Sequence, residues 1–163
     1  MTGDHQRRTP SGHTLRLVPG EEPQEHVGPV DANGMSEATL IVPGERQSVA
    51  LGRHWVVRTA AGRGVGGMAN QVLELLSSEL LSNAVLHGSP GGAIGLLVRH
   101  DADIIRVAVS DASAHNPVVL SADPHALGGR GMAIVEAMSS RWGIENHDGG
   151  GKTVWFELDL SDF

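Results

Sequence analysis

The sequence contains no cysteine. Disulfides, thiolate zinc sites and cysteine nucleophiles are therefore excluded, whatever the fold. Basic residues are scarce too: 12 Lys and Arg stand against 19 Asp and Glu, the formal net charge is −7, and Lys152 is the only lysine. That excess of negative charge opposes sequence-independent attraction to a phosphate backbone or an anionic membrane surface, so neither nucleic acid nor membrane is an expected partner. Apolar runs such as AIGLLV at 93–98 fall far short of the roughly 20 residues needed to span a bilayer. The opening MTGDHQRRTP lacks the apolar stretch of a secretory signal, and the expected location is the cytoplasm. The histidines form no HExxH pair and no serine sits in a GxSxG elbow, which leaves transition-metal catalysis and elbow-type hydrolysis without support.

What is present fits one globular domain and a tail: 163 residues, 40% hydrophobic and 19% charged. Residues 1 to 35 hold four of the eight prolines (Pro10, Pro19, Pro23, Pro29), the histidines His5, His13 and His26, and only the LRLV patch as apolar material. That is too little to offset the entropy of ordering, so this stretch is expected to be a flexible tail ahead of a folded domain over 36–163. Its acidic cluster, Glu21, Glu22 and Glu25, reads as a solvated stretch.

From Glu37 the pattern turns periodic. ATLIV predicts a short strand stopped by Pro43 and Gly44, and the three-to-four spacing of Val49, Gly52, Trp55, Val56 and Thr59 or Ala60 predicts a helix over 46–60. A second helix over 69–87 carries Val72, Leu73, Leu76, Leu80 and Ala84 on one face. AIGLLVRH and DIIRVAVSD, meeting near His100 and Asp101, predict an antiparallel hairpin. After a long polar stretch from Ala112 to Arg130, Met132, Val135, Ala137, Met138 and Trp142 mark a third helix. WGIEN and TVWFELDL then predict a last hairpin with Val154, Phe156, Leu158 and Leu160 on one face. The order βα, α, ββ, α, ββ implies an α+β two-layer sandwich, a mostly antiparallel sheet with the helices on one side.

Three places on this framework carry chemistry. On the second helix Glu79 and Asn83 lie at i and i+4, with His87 one turn further, so a carboxylate, an amide and an imidazole share a line. An amide oxygen suits Mg²⁺, which takes few protein ligands and fills its shell with water and phosphate, and a carboxylate one turn away can orient a hydroxyl for attack on phosphorus. The same spacing also fits an ordinary polar stripe. Asp111 ends an apolar strand, where it could accept a hydrogen bond from a base amino group or merely form a turn. Gly128, Gly129 and Gly131 surround Arg130 at the start of the third helix, where free N–H groups attract anions, although a glycine hinge is equally consistent. GGGKT is not a P-loop, because Asn146 stands where that motif needs glycine and an alternating strand follows instead of a helix.

Taken together, ELLSNAVLHG, VSDAS, GGRGMAIVEAM and GGKTVWFEL, in that order, resemble the GHKL ATP-binding superfamily, and within it the anti-sigma-factor serine kinases. The resemblance covers about residues 37–160. It implies the Bergerat-type ATP-binding sandwich, ATP and Mg²⁺ as ligands, and a lid formed by 112–130. It places Glu79 at the catalytic base, Asn83 at the Mg²⁺ ligand and Asp111 at the adenine-recognition aspartate. Gly129 and Gly131 fall in the glycine box that wraps the phosphates, with Gly128 beside them, and Thr153 lies where a hydroxyl approaches the adenine. Arg130 is a phosphate contact by its position and charge.

One departure stands out: Asp111 is followed by Ala112, Ser113, Ala114 and His115, where the family carries D-x-G-x-G. The implied function is phosphoryl transfer from ATP to a serine or threonine of a partner protein, with a sigma factor or its antagonist as partner and a homodimer as an option. Two alternatives follow. The altered box suggests a catalytically weak binding module that acts by sequestering its partner, and GRGMAI alone suggests a dinucleotide oxidoreductase, the weakest of the three.

Overall fold

The computed structural model describes residues 5–8, 14–17, 22–88, 91–112, 130–148 and 150–163. Their elements run β1 (His5–Arg8), β2 (Thr14–Leu17), β3 (Gln24–Val27), β4 (Ser36–Pro43), α1 (Gln47–Gly62), α2 (Gly67–His87), β5 (Ala93–Asp101), β6 (Ile104–Asp111), α3 (Arg130–Met138), β7 (Arg141–Asn146) and β8 (Lys152–Asp159), closed by a short 3₁₀ turn at Leu160–Asp162. None of the described helices is long and apolar enough to cross a membrane.

Alternation sets the sheet. Ala38, Leu40 and Val42 of β4, Ile94, Leu96 and Val98 of β5, Ile105, Val107 and Val109 of β6, and Val154, Phe156 and Leu158 of β8 all turn to one side and are buried. Against them pack Trp55, Val56 and Ala60 of α1, Leu73, Leu76, Leu80 and Leu81 of α2, and Met132 and Val135 of α3, forming one core. Each buried leucine or phenylalanine contributes about 1.5–3 kcal/mol by leaving water, so this row-on-row burial is the main force holding helices to sheet. The strands are ordered β3-β4-β5-β6-β8-β7 in a six-stranded sheet. The α+β two-layer sandwich is the observed architecture, and every pairing among the described residues is antiparallel, so no mixed sheet is seen there.

Three details differ from the sequence reading. The stretch read as a flexible tail contributes strands: β1 pairs with β2, and β3 pairs with β4 as the edge of the main sheet. All four residues of β3 are exposed, so it is held by backbone pairing and leaves no apolar signature. Its exit is secured by the Arg63 guanidinium donating to the Gly28 carbonyl at 3.1 Å, and by an Asp31 carboxylate that accepts from the Asn33 and Met35 amides at 2.8 and 2.9 Å. Second, α3 ends at Met138, Ala137 and Met138 are exposed, and Trp142 belongs to β7, where it lies opposite Phe156. The three-to-four spacing of the apolar residues continued across a break that Ser139 and Ser140 make. Third, the turn between β5 and β6 is Ala102 and Asp103 rather than His100 and Asp101, with Ala102 at φ 44° in the left-handed region that two-residue hairpin loops demand.

Candidate nucleotide site

The middle helix α2 buries Val72, Leu73, Leu76, Ser77, Leu80, Leu81 and Ala84. Glu79 and Asn83 flank this stripe and are therefore half-buried, held at the edge of the core instead of in bulk water. His87, one turn further, is exposed, so the polar row effectively ends at Asn83.

What faces Glu79 is the start of α3. A Cβ placed on Gly131 would lie 2.5 Å from Oε2 of Glu79, so the carboxylate rests against the second residue of that helix. Only glycine permits this approach. Burial pushes the Glu79 carboxyl above its ordinary value, because the charged form loses hydration there. One turn along, the Asn83 amide holds a buried Nδ2 with no hydrogen-bond partner among the described residues. Buried amides are normally satisfied, and rotation of the side chain exchanges Nδ2 for Oδ1, so Asn83 has capacity for a ligand at this point. Arg130 is the first residue of α3, and Gly128 and Gly129 lie outside the described residues, as does the lid segment beyond Ala112.

Beyond the end of α2 stand two strand ends. Asp111, 3% exposed, closes β6, and a Cβ on Gly88, just past the end of α2, would stand 3.8 Å from that of Asp111. From Glu79 to Gly88 the helix axis advances about 13 Å, so Asp111 lies beside the opposite end of this stretch of α2 from Glu79. Opposite Asp111 on β8 stands Lys152, 1% exposed, with Nζ 3.5 Å from Oδ2 of Asp111.

Thr153 is placed differently from the expectation. Successive residues of a strand face opposite sides, so Lys152 turns toward the helices with Asp111, while Thr153 pairs across the strands with Ser110 on the other face. Its hydroxyl lies 2.6 Å from that of Ser110 and 2.8 Å from Nε2 of His147. The structure brings Glu79 against Gly131, sets Asn83 one turn along α2 and Asp111 beside the end of that helix, and puts Thr153 on the opposite face of the sheet from Asp111. The residue that sequence reasoning missed is Lys152. Its signal was the even-numbered inward row of Val154, Phe156 and Leu158, to which Lys152 also belongs.

Several surface grooves among the described residues lie elsewhere. One of about 380 Å³ runs beside Arg99, Arg106, Arg141 and Glu157, and others of about 500 and 470 Å³ lie between β3 and α1. None contains a candidate residue. No three His, Asp or Glu side chains converge among the described residues.

Residues 42–158 match the family model of the histidine kinase-like ATPase domain, most of the chain and nearly all of the sandwich. No curated protein matches the chain. With the layered fold and the polar row of α2 set against a glycine-opened helix start, this match assigns the chain to the histidine kinase-like ATPase domains of the GHKL superfamily, a family of ATP-binding domains.

Proposed function

We propose that this domain binds ATP with Mg²⁺ and transfers the terminal phosphoryl group to a serine or threonine of a partner protein, as an anti-sigma-factor kinase does, while also sequestering a sigma factor or a similar regulator. The observation that carries this reading is the half-buried Glu79 carboxylate, raised in pKa, lying against Gly131 one turn from Asn83, whose buried Nδ2 has no partner among the described residues. An amide turned so that Oδ1 takes the buried position of Nδ2 would offer an oxygen to a hard cation, and Asn83 is the residue that would hold it. When bound, Mg²⁺ supplies neutralisation of the phosphate charge.

The chain's own residues do the rest. Glu79 accepts the proton of the attacking hydroxyl as its oxygen bonds to the γ-phosphorus and the bond to the bridging oxygen breaks, releasing ADP. A carboxyl raised by burial is a stronger base than an ordinary one. Gly131, with no side chain, opens the N–H groups at the start of α3 to the phosphates, and Arg130 adds a positive charge. Asp111 receives the base at the other end. We place the folded unit over 36–163 with β3 added to its edge, in the cytoplasm, with a homodimer as the working assembly.

The test is phosphoryl transfer to proteins that co-purify with the chain. Glu79→Ala should keep ATP affinity and lose transfer; full transfer by that variant would remove Glu79 from the role of base. The replacement of D-x-G-x-G by Asp111, Ala112, Ser113, Ala114 and His115 favours a second reading, a binding module that holds ATP without using it. ATP bound with no transfer to any co-purified protein would select it.

A further inference from the structure

Lys152 has no role in the mechanism above, yet it is the sole lysine of the chain and is 1% exposed. Lysine is almost never fully buried without a reason, because its ammonium must give up hydration. Its stem lies in the inward row with Val154 and Phe156, and its Nζ is 3.5 Å from Oδ2 of Asp111, itself 3% exposed. A buried ion pair is seldom more stabilising than two apolar residues of similar size, so stability alone is a weak reason for this one. The pair sits beside the end of α2 at Gly88, more than two helical turns from Glu79.

We infer that Lys152 reads the nucleobase together with Asp111. This rests on the ATP-site reading given above. A carboxylate accepts hydrogen bonds and an ammonium donates them, so the two strand ends present an acceptor beside a donor. Adenine carries the complement on one edge, a 6-amino donor next to the N1 acceptor. Asp111 takes the amino group and Lys152 donates to N1. Because the two residues are anchored at paired positions of β6 and β8, their order along the edge is fixed by the sheet.

The single lysine makes the test direct. In protein labelled with ¹³C-lysine, one side-chain Cε signal reports Lys152. Saturating ATP should shift that signal, tripolyphosphate should leave it in place, and 1-deaza-ATP, which lacks the N1 acceptor, should bind about tenfold more weakly than ATP. In Lys152→Met the preference for ATP over 1-deaza-ATP should vanish, while Lys152→Arg, which retains a donor, should keep part of it. A purely structural lysine would weaken both nucleotides equally in the Met variant. A Cε signal unmoved by saturating ATP in the wild-type protein overturns the inference, and that measurement stands even if the Met variant does not fold. Wild-type protein that binds no ATP at all overturns the ATP-site reading and this inference with it.

Discussion

Alanine at Gly131 separates stability from chemistry. The added Cβ would lie 2.5 Å from Oε2 of Glu79, but 3.5 Å from its Cδ and 3.7 Å from its Cβ, so only the carboxylate tip is in conflict. Restoring ordinary contact at about 3.5 Å requires that tip to retreat by about 1 Å, which rotation within a flexible side chain achieves without moving either helix. Alanine also favours the helix over glycine by up to about 1 kcal/mol, so the melting temperature of Gly131→Ala should stay within a few degrees of the parent. A base displaced by about 1 Å, in contrast, costs on the order of 100-fold in rate. The assay is a thermal melt beside single-turnover consumption of ATP in the presence of the co-purified partner. Wild-type turnover in a correctly folded Gly131→Ala protein would refute the placement of Glu79 at the reacting phosphate.

Glu79→Gln tests the same group through pH. The folded-state pKa of Glu79 is raised, so the cost of burying its charge is absent below the unfolded pKa and grows as pH rises through the folded one. The glutamine variant should therefore melt higher than wild type at pH 7–8, and the gap should close in acid; a gap that is constant with pH would contradict the burial argument. In the wild-type protein, phosphoryl transfer should fall on acidification at a pH above that of an ordinary glutamate, and the pH–rate profile reads this directly. Gly143→Ala provides the contrast of a rigid neighbour. Its Cβ would meet three indole atoms of Trp155 at 2.6–2.9 Å, and the indole is held from retreating by Arg106, whose guanidinium stacks 3.9 Å from the ring centroid and pairs with Glu157 at 2.8 Å. Denaturant unfolding should show a loss of about 1–3 kcal/mol, with ATP turnover per folded molecule unchanged.

The architecture was legible wherever burial imposed a period. The three-to-four rows of α1 and α2 and the alternating rows of β4 and β8 exist because each element hides one face, and that requirement is written in the order of apolar residues. Strand β3 was not legible because it hides no apolar face: Gln24, Glu25, His26 and Val27 are all exposed, and the strand is held to β4 by backbone pairing. Trp142 misled because its spacing from Met138 is helical, while the chain between them turns from helix to strand. In the site, Glu79 and Asn83 were legible as a helical row, whereas Gly131, read as an opening for phosphate or a hinge, lies against the Glu79 carboxylate, a contact that spacing does not announce. The Thr153 expectation came from resemblance, and what the sheet adds is the face: one residue along a strand is one face of the sheet, which puts Lys152 beside Asp111 and Thr153 beside Ser110.

The central claim is that Asn83, Glu79 and the start of α3 form one face of an ATP site that works with Mg²⁺. Calorimetric titration of ATP into the wild-type protein and Asn83→Ala, each with Mg²⁺ and with chelator, tests it most directly. The account predicts one ATP per chain, bound more tightly with Mg²⁺ than with chelator in the wild type, and a difference between the two conditions that disappears in the alanine variant. Wild-type affinity that is the same with and without Mg²⁺, or an alanine variant that keeps the full Mg²⁺ dependence, would contradict it.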